Sequence, residues 1–411
     1  MRRVPAIMAL AALAVAGCES AEPSIPHITP TAIDQGTTGE SLQSQAPSPT
    51  PETHEPFPGY NDASGEGRVR LDRVERVVDA VEIYRGVVPE WGYPIPGSTY
   101  ISHIDPHDAG YVSVTRLFSD DVIFEYTVPD DSRYVGTVVF IGDSAYINLV
   151  PDLSKIDSAE PTELLHINLT SGEVTPVAPP EGSIWNQWPD KLRGVDGQAV
   201  LMSNRDENWT QCVVAVPGGT SEAHEVRCFE GERFAFSTVS THGVSILGFP
   251  ADEDIQSCRK RYFVPLDGSE PRLIGNDQSC RPYDGLSLDG WDIWLQIPED
   301  YAEFLAEGVL WANGPDGERF SLGPEMNGSM TTCGEYVYWR YPSVSREHGA
   351  FDAIYRWRPG DSEIELVYRT PDTYRGYEIT CSEGQVGVHQ LTVEEDPAQA
   401  LSVILELPED D

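Results

Sequence analysis

The stretch DGWDIWLQI, from Asp289 to Ile297, places an Asp-Gly pair before a run of large residues that mostly alternate with polar ones. Asp-Gly tolerates the positive φ angles of a tight hairpin turn. Alternation with a period of two is typical of a β-strand, in which successive side chains point to opposite faces. The stretch therefore predicts a turn that leads into a strand, with Trp291 and Trp294 on opposite faces.

Similar strand-like runs follow glycines elsewhere in the chain, at steps of 55, 46, 47, 44 and 50 residues. This first series comprises Gly142, Gly197, Gly243, Gly290, Gly334 and Gly384, and Gly110 extends it upstream. A second series of turn signals lies within the first, at Asp130-Asp131, Ser171-Gly172, Gly218-Gly219, Asp267-Gly268, Asp316-Gly317 and Gly360-Asp361. Two interleaved series predict a repeat of four short antiparallel strands, which is the pattern of a β-propeller blade.

The first series predicts an all-β fold with seven blades. After Gly384 the chain supplies two further strand-like runs and ends before a fourth. Upstream, AVEIYRGVVP (Ala80–Pro89) resembles the fourth-strand segment EIELVYRTP (Glu363–Pro371). We predict that this N-terminal strand completes the last blade and removes its open edge. A six-bladed ring, with residues 98–135 as irregular cover, is the alternative.

The segments CGEYVYWRY, DAIYRW and PGDSEIELVYR, between Cys333 and Arg369, carry a family resemblance. They are similar to the repeat of bacterial and receptor propellers whose second strand carries Tyr-Trp and whose third strand carries Ile-Tyr-Arg. The resemblance implies architecture only, because propellers bind many different ligands.

The N-terminus MRRVPAIMALAALAVAGC combines two arginines, an apolar run and small residues before Cys18. The apolar run is too short for a stable membrane-spanning helix and is typical of an export signal. Its ending resembles a bacterial lipobox, which implies that Cys18 is diacylated and becomes the mature N-terminus. Residues 1–17 are thus predicted to be a lipoprotein signal peptide, with an ordinary signal peptide as the alternative.

Residues 18–68 comprise the lipidated cysteine and a segment rich in Pro, Ser and Thr, which holds too little apolar surface to fold. As a flexible coil of about 50 residues, this tether would reach roughly 40 Å. Residues 69–411 are predicted to form the propeller. The chain carries 27 basic and 67 acidic residues, so nucleic acid and anionic lipid surfaces are poor partners because both would be repelled. We interpret the acidity as a solubility feature; recruitment of Ca²⁺ or a basic partner is the alternative.

Six cysteines follow the lipobox, and an even number in an exported chain indicates disulfides. In an antiparallel hairpin, opposed residues have a constant index sum. The midpoint of Cys212 and Cys228 is residue 220, and that of Cys258 and Cys280 is residue 269. Both midpoints fall on predicted turns between third and fourth strands, so each pair is predicted to close its own hairpin.

Cys333 and Cys381 remain, at similar positions near the first-strand ends of consecutive blades. We predict that they pair with each other and join two neighbouring blades. Their Cα atoms must then lie within about 7 Å.

Two sequence features raise the question of a metal site. His103 and His107 are four residues apart among carboxylates, a spacing that holds zinc on a helix, but Pro106 favours a loop. The acidic run Ala251–Asp254 lacks the Gly and Glu spacing of a Ca²⁺-binding loop. We therefore predict no metal site.

The usual catalytic motifs are not found in the sequence. The segment Gly285–Asp289 lacks the second glycine of a Gly-x-Ser-x-Gly elbow. There is neither a His-Glu-x-x-His motif nor a phosphate-binding glycine loop. We predict no catalytic residue and no cofactor.

These features predict an exported propeller, lipid-anchored through Cys18 to the outer or cytoplasmic bacterial membrane on its extracytoplasmic side. Its expected role is binding or scaffolding at the cell envelope, as a monomer that binds a protein or carbohydrate and no nucleic acid. The alternative is an envelope enzyme, a lyase or hydrolase, with its site in the central channel; we expect no enzyme. A purely structural envelope protein is a third interpretation.

Replacing the lipobox cysteine tests the anchor. We expect Cys18→Ala to release the protein from membranes, because the tether contains no other apolar anchor. Fractionation of cells that express the variant measures the effect. Persistent membrane association of the variant would show that the lipobox interpretation is wrong.

Overall fold

The computed structural model describes part of the chain between Val69 and Leu407, and the predicted signal peptide and tether, residues 1–68, lie outside it. The described residues are 69–70, 72–77, 80–89, 95–96, 100–104, 110–116, 119, 121–129, 132–152, 161–186, 192–205, 210–240, 242–250, 260–275, 282–296, 307–326, 330–342, 351–371, 374–382, 384–392 and 399–407. All of them belong to one compact unit, Glu55–Asp411. Within these ranges, no helix is long and apolar enough to cross a membrane.

Three N-terminal strands precede seven repeated sheets. They are β1 (Val69–Arg70), β2 (Asp72–Val77) and β3 (Val81–Pro89). Blade 1 contains β4 (Ile95–Pro96), β5 (Tyr100–Ile104), β6 (Tyr111–Arg116) and β7 (Val122–Thr127). Blade 2 contains β8 (Arg133–Ile141), β9 (Ser144–Pro151), β10 (Glu163–Asn168) and β11 (Glu173–Val177). Blade 3 contains β12 (Ile184–Trp185), β13 (Arg193–Val195), β14 (Gln198–Asn204), β15 (Gln211–Pro217) and β16 (His224–Phe229).

The other four sheets have the same order of strands. Blade 4 contains β17 (Glu232–Ser240), β18 (Gly243–Pro250), β19 (Lys260–Pro265) and β20 (Arg272–Leu273). Blade 5 contains β21 (Pro282–Leu288), β22 (Trp291–Gln296), β23 (Glu307–Asn313) and β24 (Arg319–Met326). Blade 6 contains β25 (Thr331–Cys333), β26 (Tyr336–Pro342), β27 (Phe351–Trp357) and β28 (Glu363–Arg369). Blade 7 contains β29 (Tyr374–Ser382), β30 (Gln385–Thr392) and β31 (Gln399–Glu406), followed by β3.

Consecutive sheets contact one another, and blade 7 contacts blade 1 through β29, β30 and β4. Within each sheet the strands follow chain order, except that β1, β2 and β3 lie at the outer edges of blades 5, 6 and 7. The first strand of blade 3 is split into β12 and β13 along β14. The seven sheets therefore close into a ring, and the predicted seven-bladed β-propeller is confirmed.

The opening stretch is one of these repeats. Asp289 and Gly290 both have positive φ, at 49° and 81°, and they connect the first and second strands of blade 5. Trp291 packs in a core cluster shared with blade 6, whereas Trp294 packs in a cluster shared with blade 4. The two tryptophans therefore lie on opposite faces of β22, as predicted, and both contribute to packing between blades.

The aromatic contacts show what holds neighbouring blades together. The rings of Trp291 and Trp357 meet edge to face with centroids 5.3 Å apart, and Phe320 stacks on Trp291 at 5.4 Å. Such pairs stabilise by about 0.5–1.5 kcal/mol beyond the area they bury. Alternating side chains on each sheet are thus divided between two core clusters, one for each neighbouring blade.

Blade 1 departs from the predicted register. Gly110 lies between β5 and β6, that is between the second and third strands, and not before the second strand as predicted. Asp130-Asp131 likewise lies between blades 1 and 2, and not within a hairpin. In the sequence, residues 97–99 separate the first and second strands of this blade, β4 and β5, and Gly97 precedes Gly142 by 45 residues, close to the period of the other blades. The prediction that Gly110 precedes the second strand was wrong, because it precedes the third strand, but the predicted number of blades was right.

The N-terminal segment closes the ring, and it also forms two strand pairings that were not predicted. β3 pairs antiparallel with β31 from Val81↔Glu406 to Pro89↔Gln399, which confirms the predicted strand exchange. In addition, β1 pairs parallel with β24 of blade 5, and β2 pairs parallel with β28 of blade 6. These two strands cover outer sheet edges that would otherwise be open to pairing with another chain.

Deletions of two N-terminal segments separate closure from tethering. Removing residues 80–89 should lower the thermal unfolding midpoint far more than removing residues 25–60, because only the first deletion takes away the strand paired with β31. Thermal unfolding of the two variants side by side measures the difference. Equal midpoints would contradict a closing role for β3.

Candidate functional site

The two faces of the ring are built differently. First and second strands are joined by residues 97–99, 142–143, 196–197, 241–242, 289–290, 334–335 and 383–384, which define the turn face. Second and third strands are joined by residues 105–110, 152–162, 205–210, 251–259, 297–306, 343–350 and 393–398, which define the loop face. Because the strands alternate in direction, the two sets of connections lie at opposite ends of the blades. The first-to-second turns and the second-to-third loops are thus on opposite faces.

First strands meet around the axis near the turn face. Thr332 Oγ1 in blade 6 donates a hydrogen bond to the carbonyl of Val239 in blade 4 at 3.3 Å, across the intervening blade 5. Ser287 N in blade 5 donates to Ser240 Oγ in blade 4 at 3.0 Å. The axis is therefore narrow at this end, and a ligand on the axis would be approached from the loop face.

Side chains also link neighbouring turns on the turn face. Tyr100 OH donates to Asp143 Oδ1 at 2.7 Å, which joins blades 1 and 2. His242 Nδ1 and Asp196 Oδ2 are 2.7 Å apart, which joins blades 3 and 4. The short connections thus form a base whose geometry is fixed by contacts between blades.

Polar side chains are buried between blades toward the loop face, and we call each inter-blade interface a seam. In the seam between blades 4 and 5, Arg261 lies 3.9 Å from Asp284, and Thr238 Oγ1 donates to the same carboxylate at 2.8 Å. Arg261 is only 1% exposed, and it also contacts Ser245 Oγ at 3.4 Å. The buried charge is therefore paired and hydrogen-bonded, as a low-dielectric site requires.

The seam between blades 3 and 4 holds an uncharged network. Gln211 Nε2 donates to Asn204 Oδ1 at 3.0 Å, and Asn204 Nδ2 lies 3.4 Å from Asn186 Oδ1. Gln211 Oε1 accepts the backbone N–H of Phe234, in the first strand of blade 4, at 2.7 Å. This network fixes the position of blade 4 against blade 3.

Blade 7 carries a third polar cluster. His389 is fully buried, its Nδ1 lies 2.9 Å from Ser402 Oγ, and its Nε2 lies 3.2 Å from Thr380 Oγ1. Three adjacent strands thus each supply one side chain to this cluster. The sequence analysis missed these buried groups. They are buried because another blade packs against them, and no local sequence motif records that contact.

Two of the predicted disulfides are present. Cys212 and Cys228 are directly opposed in the hairpin of β15 and β16, with Cα atoms 4.0 Å apart. Cys333 and Cys381 join the first strands of blades 6 and 7, with Cα atoms 5.6 Å apart. Both pairings are confirmed. The predicted bond between Cys258 and Cys280 lies outside the described residues, and so does Cys18.

One group of potential metal ligands occurs among the described residues, formed by Cys212, Glu225 and Cys228. The two sulfur atoms are bonded to each other, so they are not thiolate ligands. His103 lies on β5, where burial lowers its pKa, whereas His107 lies outside the described residues. The acidic run at residues 251–254 also lies outside them.

His166 on β10 is a titratable group in the seam between blades 2 and 3. Its Nε2 lies 3.0 Å from Ser144 Oγ, and its ring stacks on Tyr146 with centroids 5.1 Å apart. Burial lowers its pKa below the ordinary value of 6.5, against a smaller opposing effect of Glu173. The neutral imidazole is therefore the form that the folded protein favours.

Seven sheets of four or five strands in a closed ring define this chain as a seven-bladed β-propeller protein. No protein-family model matches the chain, and no curated protein sequence matches it. Among solved structures, the Pyrococcus horikoshii acylaminoacyl peptidase is 12% identical with a TM-score of 0.46, and the match covers 68% of this chain and 46% of that chain. The β-propeller domain of the Trilobed protease from Pyrococcus furiosus is 12% identical with a TM-score of 0.44, covering 68% and 86%.

A prolyl endopeptidase structure is 11% identical with a TM-score of 0.48, and the match covers 80% of this chain and 51% of that chain. The chain thus spans about half the length of the prolyl endopeptidase and less than half that of the acylaminoacyl peptidase. We take neither activity nor substrate from these structures.

The lowered pKa of His166 predicts how stability depends on pH. As the pH falls through about 6.5, the unfolded chain binds a proton that the folded chain resists, so this histidine costs stability below that pH. We expect His166→Gln to lose less stability than the unmodified protein between about pH 7 and about pH 5. Thermal unfolding midpoints at both values measure the change.

The variant and the unmodified protein contain the same acidic residues, whose titration also changes stability with pH. Comparing the shift in midpoint between the two pH values cancels this shared contribution. His224→Gln, at an exposed position, is the control and should follow the unmodified protein. If His166→Gln lost as much stability on acidification as the control, a role for His166 would be excluded.

Proposed function

We propose that this protein is a membrane-tethered binding module of the bacterial cell envelope, and that its loop face contacts the ligand. The observation that carries the proposal is the segregation of connections. Every first-to-second connection has two or three residues, and every second-to-third connection has six to eleven. Loops on a rigid scaffold are where binding residues concentrate, because they vary without disturbing the core.

The closed turn face supports this assignment. There, first strands of non-neighbouring blades touch, and turns of neighbouring blades are joined by Tyr100–Asp143 and Asp196–His242. A base of this kind holds the opposite ends of the strands in fixed positions. The loops that leave those ends therefore start from a preorganised platform, which reduces the entropy lost on binding.

The charge of the loop face limits the ligand. Its seven second-to-third connections contain 17 acidic and 4 basic residues. A polyanion would be repelled by this surface. We propose a protein surface or a neutral carbohydrate as the ligand.

Anchoring follows from the N-terminal sequence. We propose that Cys18 is lipidated after removal of residues 1–17, and that residues 18–68 tether a monomeric propeller on the extracytoplasmic side of the membrane. Two or more acyl chains on one residue would hold it stably, whereas one chain binds marginally. A module held this way searches for ligands within the reach of its tether, which raises their effective concentration.

Site-specific photocrosslinking in intact cells tests the proposed face. A photoreactive residue would replace Glu253, Asp300 or Glu395 in loop-face connections, or Asp196, Asp289 or Glu335 in turn-face connections as matched acidic controls. We expect discrete adducts from the loop-face positions, on the same protein or glycan, and none from the turn-face positions. Equal adducts from both faces, or none from the loop face, would contradict the proposal.

A further inference from the structure

The seam between blades 2 and 3 contains three buried polar side-chain atoms that have no hydrogen-bond partner among the described residues. The atoms are Asn148 Oδ1, Thr162 Oγ1 and Ser203 Oγ. Their residues are 2%, 5% and 0% exposed. Buried polar atoms are nearly always hydrogen-bonded in native proteins, so three that share one seam call for an explanation.

Strand alternation places Asn148 in this seam. On β9, Ala145, Ile147 and Leu149 pack in a cluster with blade 1, whereas Tyr146 packs in the cluster shared with blade 3. Asn148 follows Tyr146 by two residues and so lies on the side of blade 3.

The other two residues lie in the same seam. On β14, Ala199 and Leu201 pack in the same cluster as Tyr146, and Ser203 continues their side of the strand. Leu164 also belongs to this cluster, and Thr162 precedes it by two residues at the start of the third strand. One side chain from blade 3 thus lies opposite two from blade 2.

The three residues are also at a similar height in the ring. Asn148 is the fifth residue of β9, and Ser203 is the sixth residue of β14, counted from the turn face. Asn148 lies directly opposite Leu164, so Thr162 is its diagonal neighbour toward the loop face. A Cβ atom on Gly136 would lie 3.0 Å from Asn148 Oδ1, so the amide packs against the bulge of β8 at a position that suits glycine.

Two other seams contain hydrogen bonds between their buried polar groups. Between blades 3 and 4, Asn204 and Gln211 bond to each other and to the backbone of blade 4. Between blades 4 and 5, Arg261, Asp284 and Thr238 form one cluster. The seam between blades 2 and 3 supplies two hydroxyls and an amide, but the side chains do not reach one another.

We propose that the seam between blades 2 and 3 is an internal water site, in which ordered water bridges Asn148, Thr162 and Ser203. Water fits the chemistry: it donates to the amide oxygen, and it donates to or accepts from each hydroxyl. The three side chains are uncharged, so they give no reason to bind an ion. A water with two to four polar partners is a normal structural element of a protein interior. The site joins the two blades as the direct hydrogen bonds join blades 3 and 4.

A crystal structure of the propeller at about 1.5 Å resolution tests the site directly, because ordered water bound at hydrogen-bond distance is visible there. We expect a water peak within about 3.2 Å of Asn148 Oδ1 and Ser203 Oγ. Direct bonding between the side chains, or the lack of such a peak, would overturn the proposal.

A double-mutant cycle gives a second measurement. Ser203→Ala and Asn148→Leu remove partners that share only the water, so their effects on the unfolding equilibrium constant should be coupled by about threefold or more. Thr238→Val with Ser203→Ala, in two different seams, is the matched control and should be additive. Additive effects of the first pair, like those of the control pair, would likewise exclude a water shared by the two side chains.

Discussion

Eight residue pairs between β3 and β31 join the two ends of the described chain in one sheet, and the ring depends on this contact. Each blade packs mainly against its two neighbours, and the last blade is completed by a strand from elsewhere in the chain. Here, residues before the first blade supply its outer strand. Closure is therefore a long-range contact, and its loop-closure entropy must be lost before the seam between blades 7 and 1 can pack. The disulfide between Cys333 and Cys381 supports the same region, because it joins the first strand of blade 7 to that of blade 6.

The N-terminal segment does more than close the ring. Before β3 it pairs with the outer edge of blade 5 through β1 and of blade 6 through β2, so it crosses the outside of three consecutive blades. β1 contributes two register pairs and β2 four, both parallel, before the eight of β3. These short pairings lie nearest in sequence to the proposed tether. A pulling force on the proposed tether would therefore act first on the short pairings of β1 and β2. The pairing of β3 with β31 would stay intact, so the anchor would not open the ring.

The sequence predicted the repeat, the blade count and the closing strand because all three depend on local signals: glycine turns, alternating apolar residues and cysteine pairs. The Asp-Gly turn at residue 289 and the opposed faces of Trp291 and Trp294 were predicted for that reason. Blade 1 was misread because its first strand, Ile95–Pro96, is too short to carry a pattern, and Gly110 was taken as the turn glycine. β1 and β2 were missed because they are rich in charged residues and lack the apolar alternation of the blade strands. The loop face was not predicted from the sequence. Which connections lie on the same face of the ring depends on the direction of each strand in its sheet, and this is known only from the strand order.

Polarity inside the ring follows one rule in different chemical forms. A polar group buried in a seam needs a hydrogen-bond partner, because the local dielectric there is low. Blades 4 and 5 meet this demand with the ion pair of Arg261 and Asp284, blades 3 and 4 with amides, and blade 7 with His389 and two hydroxyls. The seam between blades 5 and 6 avoids the demand with a cluster of aromatic and aliphatic side chains. Each seam thus has its own chemistry, so a blade packs well only against its own neighbours. The seams thus fix the fit between blades without using the connections of the loop face.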